Sequence, residues 1–398
     1  MSTATRLDGG IGGQAVRPPR RPPLAVLRSR WGAAGAARPA NYVLLLAIVA
    51  VLNVIGLVMV FSASAVTSLT SYGSAWYFFQ RQLVWTAFGV VAFAVATRID
   101  YHQWRRFVRP LVIVSVVLLV LVLVPGIGIY VLGSRRWLGA GSWRFQPSEV
   151  AKLALLIYTA DVVTRRADGL HDWRQVLRPV LVIFGIVALL VMREPDMAST
   201  MVLALIVGSV LMVGGVRLRQ LGSIAAPGVS LAAILAIAAP YRRARVFGFL
   251  DPFKTASAGG YQLSQSLIAL GSGGWTGVGL GNGRAKWLVL PNAHTDFIFA
   301  IIGEELGLVG CMLVVALFVA FAIFGTRAAL RAPDRFGALL AAGVTVWVVG
   351  QAVINIGAVT GLLPVSGIPL PFVSFGGSAL VFTMFAAGML GNVARQTR

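Results

Sequence analysis

Apolar residues in this chain gather into runs separated by short polar stretches. Each run is close to the roughly 20 residues that a helix needs to cross the hydrocarbon core of a bilayer. Ten such runs stand at about 41–64, 82–97, 109–127, 148–163, 179–192, 198–214, 222–240, 297–325, 337–356 and 374–392. They predict an all-α polytopic membrane protein of about ten transmembrane helices. A long outer loop, about 240–296, separates the seventh and eighth. Its stretch from Tyr261 to Gly274 is apolar and Gly-rich, so the loop is expected to lie ordered against the membrane face with some amphipathic helix. Residues 1–40 hold seven Arg, many Pro and Gly, and one acid, Asp8. That composition predicts a disordered basic cytoplasmic tail ahead of a membrane domain over 41–395.

Composition agrees with this picture. Hydrophobic residues make up 58% of the 398 and charged ones 12%, unlike any soluble domain of this size. One cysteine, Cys311, excludes a disulfide framework or a Cys-based metal cluster. The formal net charge of +21 invites a nucleic-acid partner, but its distribution follows the preference of Lys and Arg for the cytoplasmic side. With the tail inside, alternation places 22 of the 34 basic residues on the inner side, together with both termini. No nucleic acid is needed to explain them. Lys152 lies within a span, and Arg81, Arg135, Arg136, Arg144, Arg193, Arg242, Arg243, Arg245, Lys254, Arg284 and Lys286 fall on the outer side. An anion such as a phosphate or pyrophosphate at the outer surface would account for outward cations. Pairing with nearby carboxylates or lipid headgroups is the plainer account for about half of them.

Of thirteen carboxylates, seven fall on the outer face or in the bilayer: Glu149, Glu194, Asp196, Asp251, Asp296, Glu304 and Glu305. Ionisable groups at such depths are expensive and are functional candidates by default. Glu149 and Lys152 are three apart after Pro147 and share a helix face. They form an intrahelical pair, or else Lys152 points into a substrate cavity with Arg136. Glu194-Pro-Asp196 suits a helix start, Asp251 a capped turn with Arg245 as counter-ion, and Glu304 and Glu305 sit two turns into the eighth span. Asp296 follows the long loop, adjoins His294 and Thr295, and precedes an apolar run. It suits a general base or a helix N-cap. The three histidines, His102, His171 and His294, are scattered and suggest no metal site. There is no phosphate-binding Gly-x-x-x-x-Gly-Lys-Ser/Thr loop, and Gly277-Val-Gly-Leu-Gly281 follows no strand.

Several motifs in fixed order carry a family resemblance. They are Phe61-Ser-Ala-Ser64, Arg81-Gln82, Arg136-Trp-Leu, Gln146-Pro-Ser-Glu149 with Lys152, Glu194-Pro-Asp196, and Gly260-Tyr-Gln262-Leu. The later ones are Leu290 to Phe299 with Gly303-Glu-Glu-Leu-Gly307, Thr360-Gly-Leu-Leu-Pro364, and Pro369 to Ser378. Over about 41–395 the chain closely resembles the SEDS proteins, the FtsW and RodA group of peptidoglycan glycosyltransferases. The resemblance implies a ten-helix fold related to C-type glycosyltransferases and lipid II as substrate, polymerised with inversion into β-1,4 strands outside the cytoplasmic membrane. It implies Asp296 as catalytic base, and Arg136, Lys152, Glu149, Arg81, His294 and Gln262 as substrate-site positions. It fixes no cofactor, and a divalent cation (Mg or Mn) is left open. A class B penicillin-binding protein and other divisome membrane proteins are the implied partners. The wording from Ala293 to Gly307 and from Ile368 to Val373 resembles the division branch, FtsW, more than RodA, implying a septal location. Asn292, where an acid is common, and Met197-Ala-Ser-Thr200 depart from the usual pattern. An elongation-specific (RodA-type) polymerase, a lipid II flippase and a non-catalytic scaffold are the rival functions.

Overall fold

The computed structural model describes residues 40–131, 134–140, 143–167, 172–223, 226, 228, 230, 248–255, 260–287 and 289–397. The basic tail, most of the seventh predicted span, and His171, Arg242, Arg243 and Arg245 lie outside them. The helices are α1 (Ala40–Tyr72), α2 (Tyr77–Arg98), α3 (Val108–Leu123), α4 (Pro147–Arg165), α5 (Arg178–Arg193) and α6 (Met197–Val213), followed by α7 (Tyr261–Ser272), α8 (Ile298–Leu330), α9 (Arg335–Val359) and α10 (Gly377–Gln396). Apart from α7, which belongs to the long outer loop, each coincides with a predicted span. A 3-10 segment, Tyr101–Phe107, leads into α3, and a π-helical one, Trp173–Leu177, into α5. Seven helical segments among the described residues are long and apolar enough to cross a membrane, and α6 is a shorter apolar one.

Carboxylates do much of the punctuation. Asp100, Asp172, Asp196 and Asp334 each accept backbone N–H bonds at the start of a helical segment, where orphan donors and the helix dipole favour an acid. Asp161, near the C-terminal end of α4, pairs with Arg105 at 2.8 Å and with Arg165 at 2.9 Å. Nearby, Asn392 of α10 donates to the Thr97 carbonyl at 2.7 Å and accepts from Tyr101 N–H at 3.3 Å. This clips α10 to α2, the most extensive helix pairing in the fold.

Two features depart from the sequence reading. The outer loop after α3 holds a three-stranded antiparallel sheet, β1 (Ile129–Val131), β2 (Ser134–Ala140) and β3 (Trp143–Phe145), so the fold is not wholly helical. Tyr130 faces Arg135 across the first pair and Leu138 faces Phe145 across the second. Strands of three to seven residues leave too little alternation to show against apolar neighbours.

The second departure is a break in α8 at Gly307, where φ is +68° and ψ −165°, a conformation essentially confined to glycine. The segment after α7 lies along this break. Val278 N–H donates to Glu304 O at 3.0 Å and Gly279 N–H to Glu305 O at 3.1 Å. In return, Leu308 N–H donates to Gly274 O at 2.9 Å and Val309 N–H to Trp275 O at 3.2 Å. Residues 308–330 measure about 34 Å as a helix and suffice to cross the bilayer. Their exposed Leu308, Val309, Met312 and Leu313 present an apolar face. Residues 298–305, ahead of the break and inside the predicted 297–325, are by contrast all buried.

Glu304 and Glu305 are consequently structural in geometry. Glu304 accepts from Arg284 N–H at 2.7 Å and Ala285 N–H at 3.2 Å. Buried Glu305 pairs with Lys286 at 2.8 Å and accepts from Ser62 of α1 at 2.7 Å. Lys286 also donates to Gly281 O at 2.6 Å. Asp251 pairs with Lys254 at 2.8 Å.

Candidate active site at the outer end of α8

Asp296 lies in a turn over 291–297 that is organised by Asn292. Asn292 takes φ +59°, and its carbonyl accepts from Thr295 N–H at 3.1 Å; Asn is one of the few non-glycine residues at ease there. The cap residue of α8 is Phe297, one position past Asp296. The half-buried Asp296 side chain thus precedes the helix instead of occupying its cap position. Its backbone carbonyl accepts a 2.8 Å bond from Nδ2 of Asn355 on α9. Gly367, at φ +73°, is a neighbour of this side chain: an added Cβ would stand in ordinary contact, 3.7 Å from Asp296 Oδ2.

His294, two residues earlier, packs against Phe78 at 4.5 Å and Phe375 at 5.7 Å between ring centroids. Burial among these rings lowers its pKa to about 4, so the imidazole is neutral at pH 7. Its carbonyl accepts from Phe375 N–H at 3.0 Å, tying the Asp296 turn to the start of α10. Arg81 stacks over Tyr77 at 3.9 Å on α2. Gln262 is half-buried in the first turn of α7, where the hydroxyl of its neighbour Tyr261 donates to Val289 O at 2.9 Å.

Of the two readings for Glu149 and Lys152, the structure makes the intrahelical pair: 2.7 Å apart, both 3% exposed. Lys152 also donates to Gln351 Oε1 of α9 at 3.3 Å and lies 5.2 Å from the Trp347 ring centroid. Arg136, on β2, turns towards the α5–α6 junction. There it donates to Glu194 O at 2.9 Å and Pro195 O at 2.6 Å. The Glu194 carboxyl is fully buried. Desolvation and neighbouring Asp196 raise its pKa to about 9 against the opposing pull of Arg136, so it is protonated at neutral pH. Asp196 itself caps α6 through Ser199.

The two halves of the site meet on α9. Gln351 donates from Nε2 to Pro369 O at 2.9 Å, and Asn355 donates from Nδ2 to Ile368 O at 2.8 Å. One short segment of the α9–α10 connection is thus held beside both Lys152 and Asp296. A small cleft beside it is lined by Gln351, Pro369, Leu370, Ser374, Ala379 and Thr383. Sequence reasoning passed over Gln351 and Asn355 because they are neutral amides inside an apolar run. The usable signal was Trp347, Gln351 and Asn355 at spacing four, a polar stripe on one face of a membrane helix. Among the described residues no group of three or more His, Cys, Asp or Glu is placed to hold a metal ion.

A family profile described as "Cell cycle protein", covering FtsW, RodA and SpoVE, matches residues 42–398. The chain belongs to this FtsW/RodA/SpoVE family. The resemblance drawn from the ordered motifs is borne out over nearly the same span. Stage V sporulation protein E of Bacillus subtilis is 40% identical over 355 residues, 89% of this chain and 97% of that protein. A protein of Mycobacterium tuberculosis named "Probable peptidoglycan glycosyltransferase FtsW" is 43% identical, covering 98% of this chain and 75% of its own length. Among solved structures, one chain of a peptidoglycan synthase complex matches with TM-score 0.73 and 27% identity, over 88% of this chain and 96% of that one. The rod shape determining protein RodA of Thermus thermophilus matches with TM-score 0.65 and 26% identity, over 89% and 96%. These likenesses place this family member in a polytopic membrane fold.

Proposed function

We propose that this chain is a peptidoglycan glycosyltransferase of the cytoplasmic membrane that polymerises lipid II into β-1,4 glycan strands on the outer side. The observation that carries this reading is the setting of Asp296, a half-buried carboxylate in an outward turn, just ahead of the α8 cap and held from α9. In this reading the growing strand on its lipid pyrophosphate is the donor and the 4-hydroxyl of an incoming lipid II the acceptor. The Asp296 carboxylate takes the hydroxyl proton as that oxygen attacks the anomeric carbon from the face opposite the pyrophosphate, which leaves with the bonding pair and inverts the configuration. General-base assistance of this kind contributes about 10²- to 10⁴-fold.

Negative charge developing on the pyrophosphate calls for a fixed cation. Arg136 supplies it best. Its guanidinium bonds to two neutral carbonyls, and the neighbouring Glu194 carboxyl is protonated, so its positive charge is kept. Lys152, neutralised by Glu149, acts through the shape of the α4–α9 contact. Arg81, His294 and Gln262 are proposed to line the approach of substrate. A class B penicillin-binding protein is the proposed partner, with divisome membrane proteins around it. A septal role is favoured by the mycobacterial and other relatives named FtsW at 37–44% identity.

Purified chain with its transpeptidase partner is expected to polymerise lipid II in detergent, where no transport occurs, and Asp296→Ala to stop this while the complex still assembles. Normal polymerisation by Asp296→Ala would overturn the assignment of the base. Failure of the wild-type complex to polymerise would favour a flippase or a scaffold.

A further inference from the structure

We infer that Asn355 is a positioning residue that sets where the Asp296 carboxylate stands; the inference rests on reading Asp296 as the base. Asn355 is 1% exposed in the last turns of an apolar helix, where an amide is retained only if its donors are used. Both of its N–H groups are used, each on a backbone carbonyl 2.8 Å away, one of Asp296 and one of Ile368. The first carbonyl is bonded to the same Cα that carries the Asp296 side chain. The second belongs to the segment whose Gly367 lies against Asp296 Oδ2. One carboxamide therefore fixes the main chain of the base and the wall its carboxylate faces.

One turn earlier on the same face, Gln351 repeats the arrangement on Pro369 O while accepting from Lys152 and from Trp347 Nε1. Helix α9 thus spaces the Asp296 turn from the α4 contact through two consecutive amides. The sequence reading assigned neither residue a role. A shift of about 1 Å in a reacting group is enough to lower turnover by about 10²-fold, so loss of these bonds is expected in turnover ahead of substrate affinity.

The test compares wild type, Asn355→Leu, Asn355→Ser and Asp296→Asn in the complex with the transpeptidase partner, using lipid II. Measured quantities are kcat, KM, assembled fraction and the pH dependence of kcat. Asn355→Leu keeps similar volume and removes both donors. It is expected to lower kcat by about 10- to 100-fold, leave KM within about twofold, and move the acid limb of the kcat–pH profile. Asn355→Ser, which keeps one donor, is expected to lie between. A merely structural residue would lose activity in proportion to assembled complex, with the acid limb unmoved, and that result in both variants overturns the inference. If Asp296→Asn is inactive while Asn355→Leu turns over at the wild-type rate, only the positioning role fails. If Asp296→Asn retains wild-type turnover, the base assignment fails and takes this inference with it.

Discussion

Replacing Gly307 by Ala is the most direct probe of how the outer layer is joined to the membrane part. At φ +68° and ψ −165° any side chain is strained, by about 1–3 kcal/mol. An added Cβ would also stand 2.3 Å from Gly277 N and 2.5 Å from Trp275 O. Both are backbone atoms, so the segment after α7 must shift. Four backbone bonds cross this contact, each worth about 0.5–1.5 kcal/mol net. Losing two of them along with the strain gives a destabilisation of about 2–6 kcal/mol. The assay is the thermal midpoint of the purified complex together with protease cleavage between residues 273 and 290. The matched control is Gly208→Ala in α6, where an added Cβ meets nothing within 4 Å and helix propensity predicts a gain of about 0.5–1 kcal/mol. An unchanged midpoint and cleavage pattern in Gly307→Ala, with the control behaving as stated, would refute the account of a glycine-dependent break.

Four further outcomes follow from the buried titratable groups. Glu305→Gln leaves Lys286 buried without its counter-charge and is expected to cost about 3–5 kcal/mol, whereas Lys286→Met with Glu305→Leu recovers most of it; equal loss in both, read by thermal midpoint, would sink the ion-pair account. Lys152→Met is expected to destabilise more than Lys152→Met with Glu149→Leu, and a lone effect on lipid II affinity with unchanged stability would show that the pair is not what seats Lys152. The Glu194 pKa of about 9 exceeds its unfolded value of 4.5, so the folded state holds an extra proton between those values and stability falls as pH rises through them. Glu194→Gln should remove that slope in pH-dependent melts, and persistence of the slope would place its origin elsewhere. His294 titrates near 4 when folded against 6.5 unfolded; the unfolded state binds the extra proton, so stability should fall as pH drops from about 6.5 to 4, by roughly 3 kcal/mol at most, and His294→Phe should abolish that loss.

The crossing helices were legible because the bilayer leaves a chain few choices: backbone groups must bond within the segment, which fixes both element type and length. Helices α5 and α9 match their predicted runs to within three residues at each end. The break at Gly307 was not legible, since a helix tolerates a Gly between two apolar runs and the partner segment is 30 residues away in sequence. The little sheet was hidden for the opposite reason, because its strands are too short to show a period. At the site, Asp296 was visible as one of few outward carboxylates, and family motifs singled it out. What holds it was not visible, because Asn355 acts through carbonyls that every residue possesses and no side-chain pattern identifies which ones it will meet.

The contact between Ser62 and Glu305 joins residues 243 positions apart, and this bears on how the protein is made. Helix α1 enters the membrane long before Glu305 is synthesised. Ser62 is therefore in place while the intervening helices insert, and Lys286, made 19 residues ahead of Glu305, waits in a hydrated setting only until α8 follows it. Closure of that buried triad is then a late step of biogenesis. The Asp296 turn is secured later still, because Asn355 and Phe375, whose bonds hold it, are made after Glu305.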